Sequence, residues 1–291
     1  MSHFTAQLRT AFSQRDILNS DYFLLRDTSS WGWKAGHLVA ATIVILLSYA
    51  WFFSGAVQAA FDGISGHDER ISAITDDAHW ANTADLLGQA LIVMVVLAVV
   101  FYWVRPRFEL TPMSVRVLRG GWVAMIYTLA LMFFSWSVPI VNGWFGQHHS
   151  FPRGPDHSLA AVVDAIAHSV LAGVSEELVI TVIPILLLRA VNVSWKIIVP
   201  LLLIERVLFH VYYGPGSVTV LIWAGLSILL YRYTQSALGL VLSHGMYDIY
   251  CDITVYFGDN PGTVVFIAAL LIYGMMVMAG YIASKSRQSV T

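Results

Sequence analysis

The sequence predicts an all-α, polytopic membrane protein, and three observations carry that prediction. Only 34 of the 291 residues are charged, or 12%, where soluble domains carry roughly 25%. Hydrophobic residues make up 57%, and the mean hydropathy is +0.69. Apolar runs of about 20 residues, the length that crosses a bilayer, recur along most of the chain. So few charges cannot cover a globule of this size, and lipid must be the main solvent. The same figures exclude several function classes. A single cysteine rules out a disulfide scaffold. The apolar content rules out a disordered chain. A net charge of -2 without a long basic run leaves no footprint for nucleic acid.

About eight spans are expected, near Gly36–Ala60, Ala84–Val104, Gly120–Phe145, Leu159–Leu188, Ile197–Tyr213, Val218–Tyr231, Ala237–Phe257 and Thr263–Ala283. The fifth and sixth are the shortest and read equally as one re-entrant hairpin, which keeps the number of crossings even. Basic residues set the orientation. With alternating spans, 13 fall on one side: Arg9, Arg15, Arg26, Lys34, Arg105, Arg107, Arg116, Arg119, Arg189, Lys196, Arg232, Lys285 and Arg287. Only Arg70 and Arg153 fall on the other, among seven acidic residues. This split predicts cytoplasmic termini and location in the cell membrane. Residues 1–34 are polar, so no cleavable signal peptide is expected. Phe4, Leu8 and Phe12 recur at helical spacing beside Arg9 and Arg15, the pattern of an interfacial helix. Residues 35–291 form one helical membrane domain.

The remaining charges are the informative ones. Placing a charge in the bilayer costs about 2.5–3.5 kcal/mol on insertion scales. Yet Asp164, His168, Glu176, Glu177, Glu205, Arg206, His210, His244, Asp248 and Asp252 lie in or near the last five spans. The first three carry almost none, which predicts a lipid-facing N-terminal half and a site built by the C-terminal half. His244 and Asp248 are four apart, and so are Arg206 and His210, so each pair shares a helix face. Glu176 and Glu177 are adjacent and diverge by about 100° on an α-helix, which predicts separate roles. Two histidines and one or two glutamates could activate water directly, with Glu as general base. They could equally hold zinc, through Glu177, His210 and His244, with one position left for water. Both arrangements suit amide hydrolysis. The spacings favour a water-filled cavity opening to the cytoplasmic half.

Three motifs then stand in order: Ser175-Glu176-Glu177-Leu178-Val179-Ile180-Thr181, Arg206-Val207-Leu208-Phe209-His210 and His244-Gly245-Met246-Tyr247-Asp248. In order and spacing they resemble the CAAX protease and bacteriocin-processing (CPBP, or ABI) family of intramembrane peptidases, over residues 159–257. Two positions depart from that family's pattern. Thr181 stands where an arginine is usual, and Arg206 where a phenylalanine is usual. The resemblance implies that Glu176 activates water, Glu177 supports it, His210 orients water or base, and His244 with Asp248 stabilises the oxyanion. It implies a membrane-associated protein or peptide as substrate, with zinc an open alternative. Arg206 is expected to pair with Glu177 or Asp248 and so replace the arginine missing at 181. Asp252 and His168 are supporting candidates. Cys251 reads as a packing residue, and His148, His149 and His157 as solvated loop residues. Two other functions stay open. The departures fit a catalytically degenerate immunity or scaffold protein, and intramembrane Asp, Glu and His also serve proton-coupled transport.

Overall fold

The computed structural model describes residues 31–48, 76–104, 113–146 and 158–288. Every regular element among them is helical. In chain order they are α1 (Trp31–Ser48), α2 (Asp76–Val104), α3 (Met113–Trp144), α4 (Leu159–Ser175), a π-helical segment (Glu176–Val182), α5 (Ile183–Ala190), α6 (Trp195–Phe209), a 3-10 segment (Val211–Thr219), α7 (Val220–Thr234), α8 (Ala237–Phe257) and α9 (Asp259–Gln288). The expected interfacial helix at Phe4–Phe12 and the loop histidines at 148, 149 and 157 lie outside the described residues.

Local chemistry sets the boundaries. Ser158, Ser194 and Ser236 each accept a backbone N–H with the side-chain oxygen at the start of α4, α6 and α8, relieving unpaired first-turn donors. Gln235 closes α7 in the left-handed region, at φ 54°. Pro184 lacks the N–H that a continuous helix would use, and α5 begins there, directly after the wide π turn.

Among the described residues, five runs are long and apolar enough to cross a membrane: Asp77–Tyr102, Ser114–Trp144, Leu159–Ala190, Val211–Thr234 and Asp259–Ser284. They cover part of the eight expected spans. Only residues 36–48 of the first are described, and α8 falls outside the five. The expected fifth span stops early, because α6 is 15 residues long. At about 1.5 Å per residue it reaches roughly 22 Å, short of a core about 30 Å thick.

The run α4–π–α5 is the centre of the bundle. It packs on α2 and α8, and α1 covers α5. α8 in turn packs on α3 and α9. The α2 and α9 surfaces expose Leu87, Leu91, Ile92, Val264, Leu271 and Met275, the outer faces that lipid would cover. Contrary to the expected division, the N-terminal half does more than face lipid, since α3 enters the core with Tyr127, Leu131 and Phe134.

One close approach positions the site. A Cβ built on Gly173 of α4 would stand 2.7 Å from Gly245 N and 2.8 Å from Val241 O of α8. Only hydrogen fits there. The crossing lies one turn from Glu177 and next to His244, so it sets the distance between them. Gly173→Ala should therefore cost about 1–3 kcal/mol through overpacking. Gly88→Ala, with open space around it, should leave stability unchanged or raised by about 0.5–1 kcal/mol. Thermal unfolding of both variants in detergent measures the contrast, and equal melting temperatures would contradict the packing assigned to Gly173.

Candidate active site

The site is organised around a buried cation. Arg206 is 1% exposed near the end of α6, and it reaches the π segment. Its Nη1 donates to Glu176 Oε2 at 2.9 Å. Its Nη2 donates to the Glu176 carbonyl at 2.7 Å and to Thr181 Oγ1 at 3.0 Å, and lies 3.0 Å from Glu177 Oε1. Trp223 of α7 covers the guanidinium, with the ring centroid 4.9 Å away, a favourable cation–π geometry. The expected pairing of Arg206 with Glu177 is present, while its second carboxylate is Glu176 rather than Asp248. The two adjacent glutamates do meet at one group, because the planar guanidinium offers two nitrogens and the π turn holds both carboxylates inward. Thr181 is a direct partner of Arg206, so the two positions that depart from the family pattern touch.

Glu177 is fully buried. Its Oε1 accepts from Tyr127 Oη at 2.7 Å and lies 2.7 Å from His244 Nδ1. Against a carboxylate, that nitrogen is the donor, which leaves His244 Nε2 facing away from Glu177. There it lies 3.9 Å from Glu176 Oε2 and 3.7 Å from Asp248 Oδ2. His210 is fixed by similar means. It is the C-cap of α6, and its Nδ1 lies 2.8 Å from the Arg206 carbonyl. A carbonyl only accepts, so Nδ1 carries the proton and Nε2 faces Glu176 Oε2 at 3.8 Å. The ring stacks on Tyr213, 5.8 Å between centroids and 8° between planes, and meets Trp223 edge-on.

Glu176 Oε2 is thus the point on which Arg206, His210 and His244 converge. The gaps of 3.8 and 3.9 Å are too long for direct hydrogen bonds. One water can bridge each of them.

The structure brings together Glu176, Glu177, Arg206, His210, His244 and Asp248. Asp252 lies one turn beyond Asp248 and accepts from Ser169 Oγ at 2.6 Å, so it joins α8 to α4 rather than facing the histidines. His168 is on the exposed side of α4. Asp164, four residues before it, lies 2.8 Å from His79 Nδ1 and accepts from Asn82 at 2.7 Å, both on α2. The trio Glu177, His210 and His244 does not fit a zinc ion. Glu177 takes Nδ1 of His244, while any shared ion would have to sit beyond Nε2, on the other side of the ring. Among the described residues, no three His, Cys, Asp or Glu side chains are grouped to hold a metal.

Four contributors carry no motif. Tyr127 supports Glu177, and Trp223 forms the floor between Arg206 and both histidines. Phe134 walls His210. Asn142 clamps the 3-10 segment by donating to Tyr213 O and accepting from Gly216 N. Tyr127, Ser135 and Asn142 recur at intervals of eight and seven, two helical turns each, so a polar stripe on α3 was a readable signal. Ser135 bonds the Tyr247 hydroxyl.

No protein-family model, curated protein or solved structure matches the chain, so the geometry stands alone.

The buried charge balance makes two predictions. Arg206→Leu strands two carboxylates, and should destabilise the fold by about 3–5 kcal/mol. Adding Glu176→Gln and Glu177→Gln to Arg206→Leu should recover a monodisperse peak in gel filtration, and failure to recover would refute charge balance as the cause. Tyr127→Phe removes one bond to an ionised group and should cost about 1.5–3 kcal/mol, read as a lower melting temperature in detergent.

Proposed function

We propose that the protein is an intramembrane endopeptidase that hydrolyses a peptide bond of a membrane-associated protein or peptide. The observation that carries this reading is the convergence of His210 Nε2 and His244 Nε2 on Glu176 Oε2, at 3.8 and 3.9 Å, between apolar helices. A water held there between Glu176 and His210 gives up its proton to Glu176 as its oxygen attacks the scissile carbonyl. The carbonyl becomes a tetrahedral oxyanion. His244, aligned by Glu177 much as an acid aligns the histidine of a hydrolytic triad, presents Nε2 to that oxyanion and donates when protonated. Collapse breaks the C–N bond, and the proton held by Glu176 passes to the leaving amine. Arg206 is a positioning residue that fixes both glutamates. No step is routed through a metal.

The likeness of the three motifs to the CPBP pattern supports the same reading, and the Arg206–Thr181 contact supplies the arginine that the first motif lacks. The wider proposal is a plasma-membrane protein with an even number of crossings, about eight, and both termini cytoplasmic. The basic side chains of the described helices support this orientation. A second reading has one observation in its favour. Arg206 already occupies Glu176 Oε2 and competes there with the nucleophilic water, as it would in a non-catalytic relative that keeps the fold as a scaffold or immunity protein.

Glu176→Gln should lower cleavage by about 10²–10⁴-fold, the usual contribution of a positioned base, while leaving the melting temperature within a few degrees. Comparing membrane-protein termini in cells carrying wild type and Glu176→Gln measures this. Identical terminus profiles, together with a biological effect that survives both Glu176→Gln and His244→Ala, would establish the non-catalytic reading.

A further inference from the structure

The two ends of the bundle differ chemically. At one end, Arg189 and Arg232 both lie over Trp195, 5.5 and 4.9 Å from its centroid, and Lys196 is exposed beside them. The start of α3, with Arg116 and Arg119, belongs to that end, because Gly120 approaches Ser236 just before α8. The opposite end begins α2 and α4, joined by His79, Asn82 and Asp164. Between this second end and Glu176 runs a seam of α4 against α8. Its polar members in order are His168, Ser169 with Asp252, and Asp248 beside His244. From His168 to Glu176 the helix rises about 12 Å, so the polar seam spans more than a third of a bilayer core about 30 Å thick.

Accessibility follows the same gradient. His168 is exposed, Asp252 is partly exposed, and the Asp248 side chain is 28% exposed. On the other side of the glutamates the central helix is fully covered. Val182, Ile183, Ile185, Leu186 and Leu187 are all 0% exposed, a full turn and more of apolar plug. An Asp side chain that faces lipid is costly, because hydrocarbon cannot solvate its charge. Water along the seam removes that cost.

We infer that the Glu176 cluster is hydrated through the α4–α8 seam, from the end of the bundle where α4 begins, and is sealed from the basic end by Ile183–Leu187. This reverses the expected cytoplasmic opening, because the basic end is the one the charge split assigns to the cytoplasm. The seam is a property of the bundle and does not depend on catalysis. Its consequence for the proposed peptidase, which does rest on that reading, is a substrate whose scissile segment arrives from the non-cytoplasmic side.

The test is cysteine accessibility in sealed vesicles of known orientation, in the Cys251→Ser background. His168→Cys, Asp252→Cys, Leu186→Cys and Lys196→Cys are made singly and checked for folding by gel filtration. A membrane-impermeant charged maleimide should label 168 and 252 from one side, label 196 from the opposite side, and leave 186 unlabelled until the protein is denatured. Labelling of 168 and 252 from the same side as 196 would overturn the inference. So would labelling of 252 only by an apolar, membrane-soluble maleimide, which marks a lipid-facing seam. Position 168 is exposed, so it reports even if Asp252→Cys does not fold. Labelling is read without substrate, so a silent peptidase with a labelled seam rejects the catalytic reading alone.

Discussion

The fold depends on one buried ion cluster. Arg206 carries its charge between helices with almost no exposure, and two carboxylates, a carbonyl, a threonine hydroxyl and an indole face surround it. Removing the cation from such a cluster costs far more than the whole cluster contributes, since two carboxylates are left facing each other between helices. That asymmetry ties α6 to the π segment, and through Tyr127 and His244 it ties α3 and α8 to the same point. The histidines are held by the same network. One takes its orientation from Glu177, the other from the carbonyl of the arginine itself.

Backbone irregularities make the cluster geometrically accessible. A π turn is costly and tends to occur where function needs it. Here it aims two successive side chains at one guanidinium, which a regular helix would spread apart. The early end of α6 does similar work, because His210 leaves helical geometry at φ -101°, ψ 16°. The 3-10 segment that follows includes Gly214 at φ 65°, a conformation suited to glycine. Asn142 holds that segment by its backbone on both sides of this kink.

Much of this was legible in the sequence. Composition fixed the class, since no other solvent accommodates so few charges, and the rarity of intramembrane charge made Glu176, Glu177, Arg206, His210, His244 and Asp248 conspicuous. The i, i+4 spacing placed His244 with Asp248 correctly. The parts that were not legible share a cause. Periodicity reports faces of regular helices, so it cannot signal a π turn, a helix that stops at Phe209, or a zinc set that fails because one histidine nitrogen is already taken. Neutral residues such as Tyr127 and Trp223 leave no mark in the sequence, because they carry no insertion cost. Asp164 has its partners on α2, a contact across helices that no local spacing encodes.

The Arg206–Glu176 bond spans 30 residues of sequence, and a chain enters the membrane in order. When α4 and the π segment arrive, their two acids have no cation, and Arg206 follows only after another helix and a turn. Neither segment is comfortable alone in hydrocarbon, since the cation of one and the carboxylates of the other are each other's main partners. Insertion of this stretch is therefore a collective event. The stretch from α4 to α6 gains from entering lipid as a unit, with both signs of charge already paired.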